Sequence, residues 1–232
     1  GCSLRVFNRT PRDVGQHPDN QAQAEPVSVS SADSPWTTAQ AFSSGSFRSL
    51  AAGMSLGLFA QIGLIAHLYS LLSTRLGSHE ASLAMALATA SAMGGRYVAA
   101  HLMSGGFDRR RLACLGYAVQ LLGTLMLLGL DLHPAFPWIA VLLIGSGIGN
   151  ATSLPPLIAQ VEFNRAHIAK AIALMVAVSQ ATYACAPAFF GWVRSAFDDA
   201  GQAIMAMVAA TVVVQLLAIL SFYRNSSTRK RK

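Results

Sequence analysis

Six long apolar runs constrain the fold of this chain more than any other feature of its sequence. They cover residues 49–74, 81–107, 112–130, 132–161, 171–193 and 200–223. Crossing the ~30 Å hydrocarbon layer of a membrane takes about 20 helical residues, so each run is close to or above the required length. None of the runs alternates with the two-residue period of a strand, and an open sheet would leave backbone groups unpaired in lipid. The sequence therefore predicts an all-α, polytopic membrane protein with six transmembrane helices.

The distribution of charge supports a membrane protein rather than a nucleic-acid-binding one. Charged residues make up only 12% of the chain and hydrophobic residues 53%, whereas a soluble domain carries about 25% charged residues. The net charge of +7 comes from Lys and Arg that gather in short segments between the apolar runs. This is the pattern that sets membrane topology. We expect the lipid bilayer as a partner and no nucleic acid.

The basic residues also predict the orientation of the chain. With six spans both termini lie on one side, which carries 14 of the 17 Lys and Arg residues, while the opposite side carries two. Because loops rich in Lys and Arg stay in the cytoplasm, we expect a multi-pass protein of the cytoplasmic (inner) membrane with both termini cytoplasmic.

Three regions follow from the pattern of polar and apolar residues. Residues 1–46 are rich in Pro, Gln, Ser and Asp and predict a largely disordered cytoplasmic linker, with a short helix near Trp36 capped by Thr37 or Thr38. Residues 47–223 form the predicted bundle, and residues 224–232 a basic cytoplasmic tail. Because the chain begins with Gly1 rather than Met, we expect it to be a fragment of a longer protein.

The seventeenth basic residue, Arg96, lies deep inside the second apolar run. It is the only charged residue among the 27 positions between Glu80 and Asp108. If the helix continues to Asp108, Arg96 lies ~18 Å from that end, which a snorkelling side chain does not reach. A guanidinium at that depth needs water, a partner or an anionic ligand. No run contains Asp or Glu, and a guanidinium holds a carboxylate with two parallel hydrogen bonds. The counter-charge comes either from a missing part of the protein or from the substrate. We infer an anionic substrate, most simply a small organic acid; an arginine tied to backbone carbonyls is the structural alternative.

Each of the other runs carries one strongly polar residue near its middle: Gln61, Gln120, Asn150, Gln180 and Gln215. Polar side chains need partners in lipid, so these residues should face the bundle. For Gln120 and Gln215 we predict interhelical hydrogen bonds. For the other three, a hydrogen-bonding role and a cavity-lining role are both open.

Other chemistries lack the residues they need. An intramembrane enzyme would require two carboxylates at depth, G-x-S-x-G with His, or H-E-x-x-H, and none of these is present. The three cysteines are scattered without metal-ligand spacing. The glycines at 145, 147 and 149 lie in an apolar run, with no preceding strand to make them a phosphate loop. They suit close helix packing, as do those at 53 and 57. We therefore predict no catalytic residue, cofactor or metal.

Three segments of the sequence resemble the major facilitator superfamily. GGRYVAAHLMSGGFDRRRL resembles the loop between the second and third helices of one half of such a transporter, with matches at Gly95, Arg96, Asp108 and the three arginines that follow. Gly105 and Gly106 replace the usual Asp-Arg pair. RTPRDVGQHPD, residues 9–19, is similar to the central cytoplasmic loop of bacterial oxalate/formate antiporter and monocarboxylate transporter relatives. AKAIALMVAVSQATYACAPAFFGWV is similar to the fifth helix of the C-terminal half.

The resemblance implies the C-terminal six-helix half of a secondary transporter that works by alternating access. Arg96 falls where carboxylate-transporting members bind substrate, and Gln61, Asn150, Gln180 and Tyr183 would line the same cavity. Some members carry a lysine at mid-depth in the fifth helix, where this chain has Gln180 and Tyr183, so a monocarboxylate is favoured over a dicarboxylate. The partner would be a missing N-terminal half or a second copy. A non-transporting membrane subunit or degenerate half is the alternative, which the altered corner at Gly105 and Gly106 favours.

Overall fold

The regular structure of the chain is helical throughout the residues that its computed structural model describes, 36–130 and 132–226. The helices are α1 (Thr38–Ser43), α2 (Gly45–Leu76), α3 (Ser78–Ser104), α4 (Arg109–Met126) with a 3-10 turn (Leu127–Gly129), α5 (Phe136–Ala151), α6 (Leu154–Glu162), α7 (Arg165–Ala184), α8 (Ala186–Ser195) and α9 (Ala200–Ser226). The all-α prediction is confirmed for this part of the chain.

Five of the six predicted spans are long and apolar enough to cross a membrane. They are Gly45–Leu76, Arg109–Gly129, Phe136–Glu162, Arg165–Ser195 and Gly201–Tyr223. The remaining helix, α3, is 27 residues long but is not one of the candidate spans found among the described residues. Its charge at Arg96 and its Gly and Ser residues lower its mean hydropathy. Five helical segments therefore have the length and composition of membrane spans, and the sixth span remains a prediction.

Prolines divide the fourth and fifth apolar runs into two helices each. The fourth run forms α5 and α6, and Pro155 and Pro156 lie in the first turn of α6. The fifth run forms α7 and α8, with Pro187 in the first turn of α8. Proline lacks a backbone N–H and clashes with a preceding helical turn, but it fits the first turn of a helix. Each of these segments is therefore two helices in series.

The longest helix, α2, lies at the centre of the bundle and packs against α9, α7, α8 and α3. Its glycines receive aromatic rings: a Cβ on Gly53 would overlap the ring of Phe222, and a Cβ on Gly57 would overlap that of Tyr117. The two rings stack on one another with centroids 5.8 Å apart. The predicted close packing at Gly53 and Gly57 is confirmed, and aromatic side chains occupy the space that a Cβ would take.

Two helices bury little of their surface. α3 packs mainly on α5 and buries four of its 27 residues, Ala81, Ala84, Ala88 and Ala99. α7 packs mainly on α2 and buries three of its 20 residues, Ala171, Met175 and Ser179. The remaining faces of both helices are exposed or half-buried.

The segment that enters the bundle is more ordered than the predicted linker of residues 1–46. Residues 1–35 lie outside the described part, but from Trp36 onward the chain is folded. Thr37 caps α1 in a capping box with Gln40, which confirms the predicted short helix. The Trp36 ring stacks on His167, with centroids 5.1 Å apart, and Lys170 Nζ donates to the Trp36 carbonyl. These contacts join the segment to the first turns of α7.

Candidate functional site

The predicted anion-binding arginine lies where α3 and α5 cross at close range. A Cβ on Gly95 would overlap the backbone carbonyl of Ser146, and a Cβ on Gly149 would overlap that of Ala92. Gly145 is equally confined by α3. Small residues allow helix backbones to approach in this way, so the predicted close packing at Gly145 and Gly149 is confirmed.

The two helices exchange hydrogen bonds at this crossing. Arg96 Nε donates to the Gly149 carbonyl at 2.8 Å, and Asn150 Nδ2 donates to the Gly95 carbonyl at 3.1 Å. Two adjacent residues of α3, Gly95 and Arg96, are therefore hydrogen-bonded to two adjacent residues of α5, Asn150 and Gly149. Each side chain satisfies a backbone carbonyl across the interface, which ties α3 to α5.

Arg96 and Asn150 nevertheless lie on different flanks of α3. Asn150 lines a groove between α3, α4 and α5, together with Gly94 and Val98. Arg96 is two positions along α3 from both Gly94 and Val98, so it lies about 160° around the helix axis from the two of them. Arg96 and Asn150 therefore lie at the same height along the crossing of α3 and α5, but their side chains do not enter the same cavity.

The Arg96 guanidinium keeps most of its hydrogen-bonding capacity. The residue is exposed, and within residues 36–130 and 132–226 its only polar partner is the Gly149 carbonyl. No carboxylate lies within ion-pairing distance of Arg96 among these residues. Its depth is smaller than expected: α3 ends at Ser104, eight residues after Arg96, so the distance to the helix end is ~12 Å rather than ~18 Å.

Gln61 lies in the core of the bundle rather than on an open surface. It is 5% exposed, and its Oε1 accepts from Gln120 Nε2 at 3.5 Å. Gln215 Nε2 donates to Thr124 Oγ1 at 3.3 Å, between α9 and α4. The interhelical hydrogen bonds predicted for Gln120 and Gln215 are confirmed, and Gln61 is the partner of the first.

Gln180 and Tyr183 lie on α7, away from the contact between α3 and α5. Gln180 is exposed, and Tyr183 is half-buried against the core cluster around α2. Within the described ranges, the structure records no hydrogen bond from Arg96 to either residue. The five predicted site residues are therefore distributed over the crossing of α3 with α5, the core between α2 and α4, and the exposed face of α7.

The strongest polar cluster joins Glu162 to Arg110, whose sequence context predicts a topology signal and a match to the superfamily loop but no ion pair. Arg110 is 4% exposed and binds Glu162 with two parallel hydrogen bonds, Nε to Oε1 at 2.5 Å and Nη2 to Oε2 at 2.8 Å. Its Nη1 donates to Ser49 Oγ at 2.9 Å and to the Phe222 carbonyl at 3.1 Å. The cluster joins α2, α4, α6 and α9 at one end of the bundle. Its signal in the sequence is an acidic residue directly after the fourth apolar run, on the same predicted side as the arginines at 109–111.

No family model, curated protein or solved structure matches this chain. Among the described residues, no three His, Cys, Asp or Glu side chains are grouped so that they could hold a metal ion.

Proposed function

We propose that this chain is one six-helix half of a secondary transporter of the major facilitator type, and that it carries a small organic anion, most simply a monocarboxylate. The observation that carries the proposal is the exposed Arg96 guanidinium, bound through Nε to a backbone carbonyl and without a carboxylate in the described part of the chain. A cation with these properties has the capacity to bind an anionic solute.

The hydrogen bond from Arg96 to Gly149 supports this role because it fixes the orientation of the guanidinium. With Nε occupied by the Gly149 carbonyl, the Nη1 and Nη2 edge is left to donate two parallel bonds to a carboxylate. A pre-oriented fork loses less conformational freedom when the solute binds. Because the acceptor belongs to α5, any movement of α5 against α3 also reorients the site.

Gln180 lies on α7, apart from Arg96, and we assign it to a second wall of the proposed site. It is exposed on α7 and has no hydrogen-bond partner within the described residues, so its amide is available to a solute. Tyr183, one turn further along α7, would border the site from its half-buried position. Gln61 and Asn150 would support the site without contacting the solute, because their side chains form hydrogen bonds between helices of the bundle.

The exposed faces of α3 and α7 support the presence of a partner that is also a six-helix bundle. The exposed stripe of α7 consists of small residues around Gln180: Ala173, Ala177, Ala181 and Ala184. Stripes of this kind let another helix approach closely. A second six-helix unit, either an N-terminal half or a second copy, would cover these faces and enclose the solute. Transport would follow from rocking of the two units about the site.

Replacement of Arg96 tests the proposal. In the assembled transporter reconstituted into vesicles, Arg96→Gln should lower the uptake of labelled small monocarboxylates at least tenfold. Arg96→Lys should restore little activity, because an ammonium keeps the charge but not the fork. Arg165→Gln, which removes an exposed arginine at the start of α7, is the matched control and should transport normally. Uptake that is unchanged in Arg96→Gln would remove this residue from the site.

A non-transporting membrane subunit is the alternative, and the Nε bond to Gly149 is the observation that favours it. A purely structural arginine would make the same contact. In that case the unmodified assembly would transport no organic acid, and Arg96→Gln would lower the unfolding temperature. If the transporter proposal is right, Arg96→Gln should instead cause a large loss of uptake and only a small change in unfolding temperature.

A further inference from the structure

A groove opens between α3 and α4 because both helices pack on α5 rather than on each other. Its volume is about 400 Å³, which is within the ~300–1,000 Å³ typical of ligand sites. Its walls come from Gly94, Val98 and Leu102 on α3 and from Leu112, Leu115 and Gly116 on α4. From Ser91 to Leu102 the groove follows α3 for eleven residues, or ~16 Å. This is about half of the ~30 Å hydrocarbon layer, the depth of one leaflet.

The floor of the groove offers no free hydrogen-bond donor. Ser91 Oγ donates to the Ala88 carbonyl at 2.9 Å and Ser146 Oγ to the Leu143 carbonyl at 2.8 Å. Asn150 Nδ2 is used by the bond that ties α5 to α3. The rest of the lining is apolar or glycine. An occupant that fits this lining is therefore apolar over the length that it buries.

Two glycines in the walls have no explanation in the packing of the chain itself. A Cβ on Gly94 or on Gly116 would meet no atom within 4 Å. The adjacent Gly95, by contrast, is confined by the Ser146 carbonyl. Glycine inside a helix is destabilising relative to alanine, so its presence at two open positions indicates that the groove receives something from outside the chain.

The end of the groove near the corner between α3 and α4 carries an available positive charge. Arg111 is exposed and precedes Leu115 by one turn on the same face of α4. Its backbone N–H bonds to Asp108 Oδ1, but its guanidinium has no partner within the described residues. Arg109 donates to the Leu157 carbonyl, and Arg110 is neutralised by Glu162. Arg111 is therefore the arginine of this corner that is free to bind an external anion.

We propose that this groove binds one acyl chain of an anionic phospholipid whose headgroup is held by Arg111. An apolar groove one leaflet deep with an arginine at its mouth matches the chemistry of such a lipid, and the predicted orientation places the mouth at the cytoplasmic leaflet. Anionic headgroups are attracted to basic residues on that side of a membrane. The lipid fills the space between α3 and α4 and supports α3 on the side where it has no helix beside it, since α3 packs mainly on α5. This inference does not depend on transport.

The test compares lipid binding by the intact chain in detergent micelles. Phosphatidylglycerol and phosphatidylcholine with identical acyl chains are titrated separately, and bound lipid is counted by native mass spectrometry while the unfolding temperature is recorded. The unmodified chain should retain phosphatidylglycerol at least tenfold more tightly and should gain more thermal stability from it.

Three variants separate the parts of the site. Gly116→Leu adds to the groove wall a side chain whose Cβ meets no protein atom within 4 Å, and it should abolish tight retention of both lipids. Arg111→Gln should remove the preference for phosphatidylglycerol and leave the weaker retention of phosphatidylcholine. Ala209→Leu, at an exposed position of α9, and Arg165→Gln are the matched controls and should bind as the unmodified chain does. Equal retention of the two lipids by the unmodified chain, or unchanged retention by Gly116→Leu, would overturn the proposal.

Discussion

Arg96 and Arg110 use the same side chain in opposite ways. Arg110 is almost fully buried, and its guanidinium is satisfied by a carboxylate, a hydroxyl and a backbone carbonyl. Arg96 is exposed and uses one nitrogen on one carbonyl. A buried ion that is neutralised within the chain stabilises a fixed arrangement of helices, whereas an exposed and unneutralised one is available to a solute. The difference separates a structural arginine from a candidate binding residue.

Removal of the Glu162 charge should destabilise the bundle. Glu162→Gln leaves the buried Arg110 guanidinium without a counter-charge, and loss of one partner of a buried ion pair costs about 3–5 kcal/mol. Because the Glu162 side chain is 12% exposed, we expect a loss near the lower end, about 3 kcal/mol, measured by unfolding in detergent. Glu80→Gln, at an exposed residue, is the control and should change the stability by less than about 0.5 kcal/mol. A Glu162→Gln variant as stable as the unmodified chain would show that the pair contributes nothing.

At the scale of helices, the glycines of this chain fall into distinct packing classes. Gly53, Gly57 and Gly63 of α2 accept aromatic rings, Gly95, Gly145 and Gly149 allow α3 and α5 to approach closely, and Gly94 and Gly116 face open space. The first two classes hold helices together, and the third widens a groove. Position along an apolar run does not distinguish these classes, because every one of them appears as a small residue within a helix.

The adjacent glycines of α3 should respond oppositely to alanine. Gly95→Ala places a Cβ against the Ser146 carbonyl, and crowding of a well-packed contact typically costs about 1–3 kcal/mol. Gly94→Ala meets no atom and should be neutral or stabilising by up to about 1 kcal/mol, because alanine favours the helix. Both variants are compared by their unfolding temperatures in the same detergent. Similar temperatures for the two would contradict the close contact between α3 and α5.

Much of this helical framework could be predicted from the sequence, because apolar length, proline position and capping residues are local signals. The breaks at Pro155 and Pro187 and the cap at Thr37 are examples. The pair between Arg110 and Glu162 could not be assigned in this way, because its members are 52 positions apart. Gln61 and Asn150 were recognised as polar at depth, but only the packing of three helices decides which way each side chain points. The groove depends on α3 and α4 failing to meet, which no local pattern encodes.

At the scale of the whole molecule, α3 and α7 leave surfaces that the described chain does not cover. Both helices have few buried residues. α7 and α8 together form the apolar segment Arg165–Ser195, of which only 17% of the most apolar window is buried. An exposed apolar surface of this kind is covered by lipid or by a partner. The stripe of small residues on α7 favours a helix of a partner unit.

A bulky residue on this stripe should prevent assembly without unfolding the chain. Ala177→Trp adds a large side chain at an exposed position of α7, where the chain itself has no close contact to lose. We expect an unchanged unfolding temperature and at least a tenfold weaker association with the partner unit, measured by co-purification from membranes. Ala209→Trp on α9 is the matched control and should associate normally. Normal association of Ala177→Trp would exclude this face from the interface.

The contacts of Trp36 link the start of the described chain to two helices. Its ring stacks on His167 of α7 and meets Phe47 of α2 edge-on, and its carbonyl accepts from Lys170. A displacement of Trp36 would therefore be transmitted to the helix that carries Gln180 as well as to the central one.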